Sequence, residues 1–281
     1  MRGCVKRRTL SCMNPQLQRV RPPAVAGIFY PGGASTLAAN VDGLLAGVIT
    51  QSAGRLRALI CPHAGYRYSG PTAAEAFGQI RGQSFDHVLV MGPSHRAAFR
   101  GVAIADADAF ETPLGKLPLT AALDVLAKSK PFLLANGPHE EEHSLEVELP
   151  FLQRTLTKFS LTPLVFGAVD EEAVAKALND WVSPSTLIIA SSDLSHYHAY
   201  DEAVSLDRLT LDMILRLDAE AVCHAEACGR SPVAALLYMA RWNSWEARLL
   251  NYKNSGDTSG ERGRVVGYGA IGFYETKLPQ I

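Results

Sequence analysis

The chain has 281 residues, 47% of them hydrophobic and 20% charged, with 27 Lys and Arg set against 28 Asp and Glu. This composition supplies a sizeable core for one large α/β domain or two small ones. A net charge of −1 argues against a general nucleic-acid or anionic-membrane surface, and no apolar stretch reaches the length of a membrane span.

Residues 1–20 read as a disordered basic arm that opens Met1-Arg2-Gly3-Cys4-Val5-Lys6-Arg7-Arg8 and lacks the apolar core of a secretory signal. The five cysteines, Cys4, Cys12, Cys61, Cys223 and Cys228, form no regular framework and no CxxC pair. That usage points to reduced thiols and a cytoplasmic setting. From about Ala24 to Tyr274, strand-like and helix-like segments alternate with no low-complexity linker. The expected order begins with a strand at Leu56–Cys61, a glycine-containing loop, a helix at Thr72–Ile80, and strands at Val88–Met91 and Val102–Ala105. Helices follow at Thr120–Lys128 and Leu145–Leu156, then strand Leu161–Phe166, helix Glu171–Trp181 and strand Leu187–Ala190. A helix is expected from Glu202 to Leu217, and another begins near Pro232, a residue suited to a first helical turn. Strands Ala247–Tyr252 and Val265–Tyr274 close the chain. This order predicts a single α/β domain over residues 21–281, with a central mixed, largely parallel sheet flanked by helices.

Three histidines each sit just past an apolar, strand-like run: His63 after Leu56–Cys61, His95 after Val88–Met91, and His196 after Leu187–Ala190. Ligands of open α/β sheets bind beyond the carboxyl ends of the strands. If the three strands are parallel neighbours, the imidazoles converge there. Imidazole is both a common transition-metal ligand and a general base near neutral pH. A lone histidine is more often a surface or core residue, so the shared placement carries the argument. Gly65 and Gly70 flank a loop around His63. Asp193, three residues before His196, is placed to orient an imidazole or to cap a turn. Cys228 precedes a helix, where a thiol pKa falls and the thiolate is favoured; the alternative is a small buried apolar residue. His143 and Glu146 are spaced to share one helical face and to reach the crevice from behind the ligands. His198 is expected to face solvent, and His87, His139 and His224 to be structural or solvated. No G-x-S-x-G elbow and no G-x-G-x-x-G turn is present, which leaves a serine hydrolase and a Rossmann dinucleotide site without support.

Six motifs occur in order: Ala26-Gly27-Ile28-Phe29-Tyr30-Pro31, Pro62-His63-Ala64-Gly65-Tyr66, Gly92-Pro93-Ser94-His95, Glu142-His143-Ser144-Leu145-Glu146, Ser191-Ser192-Asp193-Leu194-Ser195-His196 and Cys228-Gly229-Arg230. As a set they resemble the Memo-like family (mediator of cell motility), whose prokaryotic members are called AmmeMemoRadiSam system protein B. The resemblance covers about Arg21 to Tyr274 and implies the fold of the class III extradiol dioxygenases, which hold non-haem Fe(II) with two histidines and a carboxylate. It implies that His63, His95 and Cys228 match the metal ligands and that His196 matches the acid/base histidine. A cysteine in place of the carboxylate softens the site and makes copper or zinc competitors for iron.

Three functions are consistent with this. The first is a metal-dependent oxidoreductase of unknown substrate, with Fe(II) or copper, His196 moving a proton, Asp193 orienting it, and Phe29, Tyr30 and Tyr66 as an aromatic wall. The second is a non-catalytic protein that binds a metal, a small molecule or a peptide in a retained pocket. The third is a zinc hydrolase. The prokaryotic family name implies association with a radical-SAM protein and an AmmeCR1-type protein.

Overall fold

The computed structural model describes residues 19–51, 54–120 and 126–275. Residues 1–18 of the basic arm, and most of the helix expected at Thr120–Lys128, lie outside the described residues; the arm's last two residues are ordered, Arg19 by ion pairs to Asp106 and Asp108 and Val20 by strand pairing with Ala109. Among the described residues, no helix is long and apolar enough to cross a membrane.

The framework is a nine-stranded mixed sheet. Its centre is four parallel strands in the order β2 (Arg55–Cys61), β9 (Thr186–Ser191), β3 (His87–Pro93) and β8 (Ser160–Phe166). β4 (Val102–Ile104) pairs antiparallel with β8 and is followed by β7 (Phe132–Leu134). On the other side the long strand β12 (Val265–Glu275) runs antiparallel to β2, and carries β11 (Trp245–Asn254) and the short β10 (His196–His198). A separate three-stranded sheet joins β1 (Val20–Arg21), β5 (Ala109–Thr112) and β6 (Gly115–Pro118).

The central strands are continuous apolar runs because both faces are covered. Val88, Val90, Leu187 and Ile189 pack into one core, while Leu89, Met91, Ile188 and Ala190 pack into the other. Helices Ala34–Leu45, Tyr66–Gly78 and Leu149–Thr155 cover the first face. Helices Glu171–Trp181 and Arg230–Trp242 cover the second.

Most expected elements fall within a few residues of their predicted places, and three differences bear on the site. The helix expected from Thr72 begins at Tyr66 and takes in Pro71, so Gly70 is helical and the loop around His63 is shorter than expected. Burial of Tyr66, whose hydroxyl donates to the Val147 carbonyl at 2.7 Å, anchors the extra turn against the loss of the proline N–H. Helix Ala34–Leu45 was not expected from the sequence. It buries only Leu37, Val41 and Leu45, one residue per turn, each burial contributing about 1.5–3 kcal/mol. The segment at 145–156 divides into a 3₁₀ turn at Glu146–Glu148 and helix Leu149–Thr155, so His143 precedes the helical turns and shares no helical face with Glu146.

A candidate metal centre at the carboxyl ends of the parallel strands

β2, β9 and β3 end side by side, and each is followed two residues later by a polar group: His63, Asp193 and His95. Cys228 arrives from the loop before helix Arg230–Trp242. The ligand atoms of His63, His95 and Cys228 all lie within 4.8 Å of one another, and the His63 Nε2 to Cys228 Sγ distance is 3.2 Å. Bonds of about 2.0–2.3 Å from a tetrahedral metal separate its ligands by rather more than 3 Å, so the donor set fits a single transition-metal ion. His95, Glu142 and His143 form a second group of the same kind.

Two glycines allow the close approach. A Cβ at Gly92 would lie 2.6 Å from Ser144 Oγ, so its absence lets the end of β3 abut the segment that carries Glu142 and His143. A Cβ at Gly229 would lie 2.4 Å from the Ser191 carbonyl oxygen, so its absence lets Cys228 reach the end of β9.

Each ligand histidine is fixed through its Nδ1. His95 Nδ1 lies 2.9 Å from Glu142 Oε1, and Glu142 Oε2 accepts from the His95 main-chain N–H at 2.6 Å. Ser144 N–H donates to Oε1 as well, at 2.9 Å. Burial alone would raise the Glu142 pKa, but the bonds to His95 and Ser144 outweigh it and hold the carboxylate down at about 2. An ionised Glu142 only accepts, so His95 donates through Nδ1, which leaves Nε2 as the nitrogen that would meet a metal.

His63 is arranged differently. Its Nδ1 lies 2.7 Å from Ser191 Oγ, which is also 2.7 Å from Glu148 Oε1 and 2.7 Å from the Ser144 carbonyl. Burial raises the Glu148 pKa well above the ordinary carboxylate value, so Glu148 is a neutral acid. With one proton per hydroxyl, the arithmetic closes in one way: Glu148 and His63 Nδ1–H donate to Ser191, and Ser191 donates to Ser144. His63, 1% exposed, is held neutral by burial and by its histidine neighbours, with Nε2 turned towards Cys228.

The Cys228 thiol departs from expectation. Burial and the neighbouring Asp193 raise its pKa, outweighing the bond from the Asp193 N–H to Sγ at 3.2 Å. An exposed helix end would have lowered it; Cys228 is half-buried and sits beside Asp193.

His63, His95 and Asp193 line a cavity of about 820 Å³, a size usual for small-molecule sites, together with Phe29, His143 and His196. His143 stacks on His95 with ring centroids 4.5 Å apart and packs against Phe29 at 4.7 Å; burial lowers its pKa to about 4. Burial also lowers the His196 pKa.

Four residues expected at or behind the cavity have other contacts. Glu146, fully buried, accepts from the main-chain N–H groups of Ala24 and Val25 and from the Tyr30 hydroxyl, and pairs with Arg21. It staples the amino-terminal segment rather than meeting a substrate. Tyr30 and Tyr66 stand behind the cavity, and the wall is formed instead by Phe29 with Tyr68, Tyr197 and Tyr268. Asp193 does not bond to His196: its Oδ1 accepts from the His63 main-chain N–H at 2.8 Å, and burial raises its pKa to about 7. His198 faces solvent as expected and bonds there to Glu226 at 2.5 Å. His139, expected to be structural or solvated, is structural: it is buried, with Nε2 on the Ala103 carbonyl.

Ser191 and Glu148 escaped the sequence reading. Glu148, an acid between Val147 and Leu149, carried one signal: a carboxyl in an apolar stretch requires a partner. Ser191 carried none, because its role depends on where β9 ends.

A family model described as Memo-like protein matches residues 21–272. The chain belongs to the Memo-like family. Proteins of the family to which it is similar include a "MEMO1 family protein" of Methanosarcina mazei, 35% identical over 90% of this chain and 98% of the relative. Others come from Aeropyrum pernix, 35% identical over 90% of this chain and 99% of the relative, and Sulfurisphaera tokodaii, 31% identical over the same shares. The Memo-like match begins at Arg21, the residue that pairs with the buried Glu146.

Proposed function

We propose that this Memo-like chain is a metal-dependent redox enzyme of dioxygenase-like type, with Fe(II) as the first choice of metal and copper or zinc as competitors. One observation carries the reading: His63, His95 and Cys228 converge from three separate chain segments, with both imidazole Nδ1 atoms engaged so that Nε2 is the free donor. The imidazole and thiol donors suit iron, copper and zinc alike. When bound, iron or copper would supply one-electron redox chemistry and an open coordination position.

The remaining work falls to the chain. His196, a neutral imidazole on the cavity wall, is placed to accept a proton from a substrate hydroxyl and return it. Asp193 fixes the main chain of His63 and so the position of that ligand. Phe29 and His143 exclude water from one side.

The test is metal content after anaerobic purification, followed by oxygen consumption over a panel of reduced aromatic substrates. The expected result is near-stoichiometric iron or copper, lost in His95→Ala and in Cys228→Ala, with turnover lost in His196→Ala while the metal stays. Stoichiometric zinc with hydrolytic turnover would replace this reading by a hydrolase. Metal without turnover would replace it by a binding protein.

A further inference from the structure

The cavity changes character from floor to mouth. The floor is made of imidazoles and the buried Asp193, and the wall is aromatic. The mouth carries two guanidiniums, Arg67 from helix Tyr66–Gly78 and Arg264 from the turn before β12. Arg19, Arg57, Arg154, Arg241 and Arg248 each pair with a carboxylate. Among the described residues, Arg67 and Arg264 have no such ion pair. Each lies over a tyrosine ring instead, Arg67 Cζ at 5.9 Å from the centroid of Tyr68 and Arg264 Cζ at 5.0 Å from that of Tyr197. Stacking on a ring engages the face of a guanidinium and leaves its edge, with the N–H fork, for another acceptor.

The other polar groups at the mouth are engaged. Ser255 Oγ accepts from the Val266 N–H, Ser259 Oγ donates to the Ser255 carbonyl, and Glu261 Oε1 accepts from the Gly263 N–H. Two guanidiniums against the single carboxylate of Glu261 leave one net positive charge at the rim. That balance matches a monoanion rather than a dianion.

We infer that the mouth binds the carboxylate of a planar organic acid between Arg67 and Arg264, with the body of the ligand against the aromatic wall and its far end at the imidazole floor. As a statement about substrate it rests on the proposed function, which places the reacting centre at that floor. As a statement about binding it does not require the metal. Arg67 and Arg264 thus set which substrates enter and take no part in the proton transfer assigned to His196.

The experiment is calorimetric titration of the metal-free full chain with benzoate, with its neutral analogue benzyl alcohol, and with phenyl phosphate. Benzoate is expected to bind about tenfold more tightly than benzyl alcohol, the value of one charge-assisted contact at a partly exposed site. The preference should weaken with added salt. Arg67→Gln and Arg264→Gln should each reduce it, and the double variant should abolish it while leaving benzyl alcohol binding unchanged. Equal affinity for benzoate and benzyl alcohol, or a preference that survives in the double variant, would overturn the inference. Tighter binding of phenyl phosphate than of benzoate would overturn the assignment to a monoanion. Metal content of the double variant, measured in parallel, is expected to equal that of wild type. A wild type that holds no metal but still prefers benzoate would therefore sink the redox reading and leave the anion site standing.

Discussion

His63 and His95 occupy equivalent places, two residues beyond neighbouring members of one parallel sheet, yet they are supported by opposite chemistry. His63, 1% exposed, leans on a chain of uncharged groups, Ser191 and the neutral Glu148. The His95 side chain is 28% exposed and leans on the ionised Glu142. The difference follows from the cost of burying charge. In the interior an anion is expensive unless fully solvated by donors, so Glu148 keeps its proton and orients His63 through a hydroxyl. Nearer the cavity, three N–H groups converge on Glu142 and make the anion the stable form. Both routes engage Nδ1 and leave Nε2 to meet a metal.

Substitutions separate the two supports. The largest effect is expected from Glu142→Gln, which removes an anion that acts on a ligand directly: metal affinity should fall about 10–100-fold in a competition titration. An unchanged affinity would mean that His95 needs no charged partner. Ser191→Ala comes next, because it strands both His63 Nδ1 and Glu148 in the interior. A loss of about 1–3 kcal/mol in urea denaturation is expected, and a neutral outcome would break the proposed chain of bonds.

The pH dependence sharpens the contrast, since the two carboxyls contribute with opposite sign. Glu142 is held at about 2, below its ordinary 4.5. Its stabilisation is therefore complete above pH 4.5 and is lost as pH falls towards 2. Glu148 is raised above its ordinary 4.5, so the folded state holds the proton more tightly and stability declines as pH rises above that value. Glu142→Gln should flatten the acid limb of a stability profile, and Glu148→Gln should flatten the decline above it. Loss of the acid limb in Glu148→Gln instead would show that Glu148 is ionised. The smallest effect is expected from Tyr30→Phe, which removes one bond to Glu146 behind the site: about 1 kcal/mol of stability, with metal affinity unchanged.

The sequence made some of this legible and concealed the rest for identifiable reasons. Strands buried on both faces announce themselves as apolar runs, so β2, β3, β8 and β9 were readable, and the residues just beyond β2 and β3 marked the crevice. Helix Ala34–Leu45 was hidden because three apolar contacts per twelve residues make a faint period. The early start of helix Tyr66–Gly78 was hidden because Pro71 and Gly70 carry local signals that tertiary packing overrides. At the site, the arrival of His63 and His95 in one crevice followed from their placement after apolar strands, and the joining of Cys228 to them was implied by the family resemblance. The direction of the Asp193 and Glu146 side chains did not, because it depends on which main-chain N–H groups the fold brings to them. Glu148 illustrates the same limit: its protonation comes from burial, which a one-dimensional pattern does not record.

The staple at Glu146 has a consequence for how the chain assembles. Its contacts with Arg21 and Tyr30 bridge 125 and 116 positions along the sequence, and they carry Phe29 to the cavity wall. Contacts that close such long loops are entropically late. The pairing of β2 with β9, Ala58 opposite Ile188, closes a loop of similar span, so strap and sheet carry the same entropic cost. The amino-terminal strap is therefore a buckle fastened together with the sheet, and the cavity wall is completed with the fold as a whole.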